Sequence, residues 1–252
     1  MRKLADTFRI ERVLRYCVNK NDSCNALYIH SFTSLFAGGR NDDYECVKSR
    51  WFAIAKDIAN ALDIWNIIAE KYQESGRYYH NLHHITDMLN QSEIFKDKLH
   101  NRIVVDLSII FHDLIYDGKS ATNEEDSAIL FRELLDGKFS SEVINKVFDY
   151  IIETKKHAVA DSKDSDLRLF IDFDMSILGS SRDLYFEYAR KIRKEYVHIE
   201  FITYCEKRAG FLRKVLSEED TIYSSAEYEM YEQPARENIK AECEKLEKRL
   251  LP

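Results

Sequence analysis

Proline is nearly missing from this chain of 252 residues, with 2 in all, one of them the last residue, and glycine is scarce at 7. Sandwiches, barrels and many-hairpin sheets need those residues at their bends, so the shortage points to long helices joined by short connections. The five cysteines, Cys17, Cys24, Cys46, Cys205 and Cys243, are odd in number and contain no CxxC pair. Neither a disulfide framework nor a structural zinc ribbon is indicated, and reduced, intracellular thiols are the plain reading. Basic charge is not in excess either. Thirty-seven Lys+Arg against 44 Asp+Glu leave a net of −7, so a non-specific nucleic-acid or anionic-membrane binder would lack its basic face. The opening MRKLADTFRIERV carries charges where a signal peptide needs an apolar stretch, and the longest uncharged run, Ser23 to Gly39, includes Asn, His, Ser and Thr and is slightly short for a span. These absences predict a soluble, cytoplasmic protein with no membrane partner.

What is present is enough apolar material for one core, 45% hydrophobic against 32% charged residues. From Tyr44 onward apolar residues recur at helical spacing, as in Trp51, Ile54, Ala55 and Ile58, then Ile64, Ile67, Ile68 and Tyr72. Further amphipathic segments are expected near 82–96, 101–116, 122–136, 141–157, 164–178, 182–216 (as two helices) and 226–250. The fold class is therefore all-α. Residues 1–43 differ and are read as an N-terminal extension of the main domain, 44–252. The extension holds one expected helix from Leu4 to Val18, a short apolar piece ALYIHSF of open character, and the turn-like GGRNDD.

Three of the eight histidines crowd into Tyr79-His80-Asn81-Leu82-His83-His84, at the expected start of a helix. Residues four apart on a helix are neighbours, so His80, His84 and Met88 share a face while His83 points elsewhere. Alone, the cluster reads equally well as a polar helix start with incidental histidines. A second feature shifts that balance: the apolar run Val104 to Phe111 continues straight into His112-Asp113. Burying an imidazole and a carboxylate is costly unless they are paired or hold a metal. A third feature is Asp172-Phe173-Asp174, again inside an apolar helical stretch. The two carboxylates lie about 200° apart on one helix, so only one of them can face a given site. Mixed His and carboxylate groups from separate helices suit a catalytic divalent metal with positions open for water.

These stretches, in this order, resemble the HD superfamily of metal-dependent phosphohydrolases, all-helical proteins named for their His-Asp pair. The likeness is carried by Gly76-Arg77-Tyr78-Tyr79-His80-Asn81-Leu82-His83-His84-Ile85, Phe111-His112-Asp113-Leu114-Ile115-Tyr116-Asp117 and Asn123-Glu124-Glu125-Asp126-Ser127-Ala128. It continues through Thr154 with His157, Asp172-Phe173-Asp174-Met175-Ser176-Ile177-Leu178-Gly179, Ile192-Arg193-Lys194-Glu195-Tyr196 and Ala235-Arg236-Glu237-Asn238, covering about residues 50–245. The fold it implies is an HD-domain helical bundle. A more distant resemblance, to the cyclic-nucleotide phosphodiesterases and their Tyr-His-Asn-x-x-His motif, implies that His84 binds metal and His80 is the general acid. Their final metal Asp stands in a context similar to Phe173-Asp174-Met175-Ser176, which favours Asp174 over Asp172.

The implied ligand set is His84, His112, Asp113 and Asp174 around a divalent ion (Mn, Mg, Co, Ni, Fe or Zn), with Asp113 placed to bridge to a second one. Such an ion activates water for attack on a phosphate ester or anhydride of a nucleotide or related small metabolite. His80 would protonate the leaving oxygen, and Glu124 or Glu125 is the nearest carboxylate in sequence expected to support its charge. Arg77 and Arg193 are candidate phosphate clamps, Tyr79 and Tyr116 flank the proposed site, and His157 is a further candidate for substrate contact. Two alternatives stand beside the hydrolase. A non-catalytic nucleotide-binding or regulatory module would keep the fold without turnover. A di-iron oxygenase on the same scaffold needs extra histidines between Asp113 and Asp174, where His157 is the one available.

Overall fold

The structure, a computed structural model, describes residues 40–156, 162–217 and 221–249. The expected helix Leu4 to Val18, the ALYIHSF piece and His157 lie outside the described residues. All described residues belong to one compact unit, and among them every regular element is helical, with no strand.

In chain order the helices are α1 (Arg40–Ile54), α2 (Ala61–Tyr72), α3 (Leu82–Ile94), α4 (Arg102–Phe111), α5 (Asn123–Leu135), α6 (Ser141–Glu153), α7 (Ser165–Met175), α8 (Arg182–Glu195), α9 (Phe201–Ser217) and α10 (Glu232–Glu247). A short 3-10 turn, Ser176–Gly179, follows α7, and another, Ala226–Tyr231, precedes α10. The single segment expected at 226–250 thus opens as a 3-10 turn. Pro234 then falls in the first turn of α10, where its missing N–H removes no helical hydrogen bond. One sequence expectation is corrected here. The GGRNDD stretch is not a turn from Arg40 on: it is the start of α1, with Asp42 and Asp43 against the positive end of the helix dipole. Helix α1 therefore runs across the boundary expected between residues 43 and 44.

Helix α4 is the axis of the fold. Every residue from Val104 to Phe111 is buried, as its all-round apolar sequence requires, and it packs against α1, α3, α5, α6 and α7. Two polar residues inside it are satisfied: Ser108 donates to the Val104 carbonyl at 2.9 Å, and Asp106 accepts from Ser92 at 2.5 Å and faces Arg102 and Arg50. Trp51, Phe111 and Phe131 form an edge-on aromatic series behind α4. Its C-terminal end is thereby fixed in the middle of the molecule, and that end carries His112 and Asp113.

Candidate metal centre

Three helix ends meet at one point. Helix α3 begins there because Asn81 caps it, accepting from the His83 N–H at 2.9 Å, which puts His84 in the first turn. His112 caps the C-terminal end of α4, and Asp174 lies in the last turn of α7. His84, His112 and Asp174 each bring a ligand atom within 4.8 Å of the others. His84 Nε2 stands 3.1 Å from Asp174 Oδ1 and 3.8 Å from Asp113 Oδ2, and His112 Nε2 stands 3.1 Å from Asp113 Oδ2 and 3.7 Å from Asp174 Oδ1.

The donor set fits a cation. Both imidazole Nε2 atoms are buried and make no hydrogen bond, a costly state for polar atoms that a metal would relieve. His112 Nδ1 donates to the Ile109 carbonyl at 2.9 Å, which leaves the lone pair on Nε2, the tautomer a metal ligand needs. The C-terminal ends of α4 and α7 also direct partial negative charge at this point. Without a cation the carboxylates draw a proton to His112 instead. Burial opposes charge on His112, but the charge and contact of Asp113, with the charge of Asp174, push it up to about 9. Asp113 responds in the opposite sense: burial would raise it, and the facing histidines hold it below the usual carboxylate range.

Asp172 is turned away from this point. Its two oxygens accept from the backbone N–H groups of Ser224 and Ser225, at 2.9 and 2.8 Å, and from both serine hydroxyls. It ties α7 to the segment before α10, and Asp174 is the residue that faces the histidines.

His80 stands beside the cluster on a support that the sequence did not suggest. Its Nδ1 lies 2.6 Å from Glu195 Oε2, and the other oxygen of Glu195 accepts from the backbone N–H groups of Tyr78, Tyr79 and His80 at 2.8, 2.7 and 3.1 Å. Tyr116 donates to Glu195 Oε2 at 3.0 Å and stacks on the His80 ring with centroids 4.2 Å apart. Burial works against a charged His80, but Asp113 and Glu195 outweigh it and keep its pKa above the ordinary value. Burial likewise would raise Glu195, whose side chain is 1% exposed, yet the His80 contact and the backbone donors hold it low. The approach is close on the far side as well: a Cβ at Gly118 would lie 3.1 Å from the Glu195 carbonyl oxygen.

The expectation that Glu124 or Glu125 serves His80 is therefore corrected. Both face Lys155, at 3.9 and 2.5 Å, and neither hydrogen-bonds to His80. Glu195 is far away in sequence, but it did leave a signal: it ends α8, where the helix dipole disfavours a carboxylate, so a buried Glu there needs strong donors from elsewhere.

The two arginines singled out as phosphate clamps are also corrected. Arg77 is buried, with Nη1 donating to the carbonyls of Asp113 and His80 at 2.6 and 3.3 Å and Nη2 to that of Leu114 at 2.8 Å. It pins the turn after α4 to the loop before α3, which leaves Gly76 at a φ of 100° that favours glycine. Arg193 spends its donors on the carbonyls of Tyr196 and Ile199, at 2.6 and 3.1 Å, closing the C-terminal end of α8. Tyr79 does line the site, with its ring 4.8 Å from that of His84 and 5.1 Å from that of His80.

Comparison of the chain with protein families, with curated proteins and with solved structures yields no match. Among the described residues no helix is long and apolar enough to cross a membrane.

Proposed function

We propose that this chain is a metal-dependent phosphohydrolase of the HD-superfamily type, acting on a phosphate ester or anhydride of a nucleotide or related small metabolite. The observation that carries the reading is the pair of buried, unbonded imidazole nitrogens facing Asp174 and Asp113, with a separately supported histidine beside them.

His84, His112 and Asp174 would hold the divalent ion, and Asp113, within 4 Å of both imidazoles, would complete the set or reach a second ion. The ion would supply a water acidic enough to attack at neutral pH and a positive charge against the phosphoryl oxygens. The protein's own residues account for the remainder. Arg77 fixes the His-Asp turn against the His80 loop, so ligands and acid keep their spacing. Glu195 orients the His80 ring through Nδ1 and leaves Nε2 to carry the proton for the departing oxygen. Tyr116 covers one face of that ring and shares the same carboxylate oxygen, which keeps Glu195 from swinging away.

The test is to purify the protein, measure bound metal by mass spectrometry, reload it with Mn, Mg, Co, Ni, Fe or Zn in turn, and assay a panel of phosphorylated metabolites for phosphate release. The reading requires near-stoichiometric metal and turnover that a chelator abolishes. Failure to bind any of these ions, or release of phosphate that chelation does not touch, would overturn it.

A further inference from the structure

Asp174 sits where a helix is least able to hold a side chain still. It lies in the last turn of α7, where a helix runs out of its own partners for backbone carbonyls, yet a metal site tolerates only about 0.2 Å in its ligand distances. The backbone around Asp174 is held from outside. Gln91 Nε2 donates to Ser176 Oγ at 3.0 Å and reaches the Phe173 carbonyl at 3.4 Å, so the chain on both sides of Asp174 is tied to one amide. Tyr223 donates to the Met175 carbonyl at 3.3 Å. Asn238 closes the 3-10 turn beyond, donating to the carbonyls of Leu178 and Ser180 at 2.9 and 2.8 Å.

Gln91 differs from the other two donors in where it comes from. It stands on α3, seven residues after His84, and two turns of helix return it to nearly the same face, about 20° round. One rigid element therefore carries both His84 and the amide that grips the turn of Asp174, and the frame closes where His84 Nε2 lies 3.1 Å from Asp174 Oδ1. The amide is fixed in orientation. A backbone carbonyl only accepts, so that of Phe173 requires the nitrogen end, and the Tyr228 hydroxyl donates to Oε1 on the other side. Gln91 and Tyr228 are both buried, and the Tyr228 ring packs against that of Phe173 with centroids 6.2 Å apart. An apolar side chain at position 91 would cover α7 as well, but an apolar contact has no direction and does not fix how far one helix slides or rotates along another. Hydrogen bonds in a buried network do.

Resting on the metal-centre reading, we infer that Gln91 is a positioning residue of the centre: with Tyr228 behind it and Ser176 in front, it sets the spacing of His84 and Asp174, and through that spacing the affinity and coordination geometry of the ion they would hold.

The test is Co²⁺ binding to the full-length protein, with affinity read by competition with a chelating dye and coordination read from the visible absorption spectrum of the bound ion. Gln91→Met keeps the length of the side chain and removes the amide; it should weaken Co²⁺ binding by about 10- to 100-fold and change the spectrum. Ser176→Ala is a gentler change that removes one acceptor, and it should act in the same direction even if Gln91→Met folds poorly. Tyr185→Phe removes a buried hydroxyl that donates to Glu242 between α8 and α10, so the melting temperature should fall with no change in affinity or spectrum. Affinity and spectrum that stay unaltered in both Gln91→Met and Ser176→Ala, or a loss in Tyr185→Phe as large as theirs, would overturn the inference and leave Gln91 as packing alone, with the metal-centre reading intact. A different result separates the two: mixed His and carboxylate groups hold Co²⁺ at least as well as Mn or Fe, so if the unaltered protein takes up no Co²⁺ the metal-centre reading falls and this inference with it.

Discussion

Asp172 and Asp174 stand two residues apart on α7 and serve opposite sides of it: Asp172 is closed off by Ser224 and Ser225, and Asp174 reaches to 3.1 Å from His84 Nε2. The helical rotation between them forces this split, and it separates two kinds of failure. Asp174→Ala should lose bound metal while the fold persists. Asp172→Ala should retain metal but strand the buried backbone N–H of Ser225 and the part-buried one of Ser224, lowering stability by about 2 to 4 kcal/mol. Metal analysis and thermal melting of both variants check this, and metal loss from the Asp172 variant in a folded state would exchange the roles.

His80 and His84 differ in the same way. His80→Ala should keep metal and lose about 10²- to 10⁴-fold in turnover of substrates with poor leaving groups, with a much smaller effect on p-nitrophenyl phosphate, whose leaving group departs as a stable anion. His84→Ala should damage both substrates by depleting metal. Equal slowing of the two substrates in His80→Ala would show that His80 positions or binds and does not donate a proton.

The pH profile reads the Glu195 contact. A raised His80 pKa means that the protonated acid persists above pH 6.5, so kcat/KM for a poor leaving group should fall only as pH rises through that raised value. A bound cation would offset the contribution of Asp113 and leave Glu195 as the main support. Glu195→Gln removes that charge, and the alkaline limb should move to lower pH. Glu195 itself, held below the ordinary glutamate value, sets no limb above about pH 4.5. An alkaline limb that stays in place would show that it belongs to another group.

Arg77 offers a direct contrast between a clamp and a pin. Arg77→Lys loses the fork that spans the carbonyls of Asp113 and Leu114, so stability should fall by about 2 to 4 kcal/mol. A clamp would instead raise KM and leave the melting temperature alone. Melting curves alongside KM and kcat distinguish the two.

The sequence by itself determined the helical class and brought forward the residues of the candidate metal centre. Scarce proline and glycine with continuous helical periodicity leave no other architecture, and a histidine or carboxylate set into an apolar run is conspicuous because burial makes it costly. His112-Asp113 and the Asp172/Asp174 pair stood out in this way, whereas the roles given to His84 and to Asp174 over Asp172 came from the resemblance to known motifs. What the tertiary structure alone decided were the partners, since hydrogen bonds between helices carry no local signature. Glu195 lies 115 residues from His80 and Asp172 lies 52 from Ser224, so nearness in sequence pointed instead to Glu124 and Glu125, which face Lys155. The arginines show the same limit. Arg77 and Arg193 read alike in the sequence as candidate phosphate clamps, and it is the packing of helix ends that brings backbone carbonyls within reach of both.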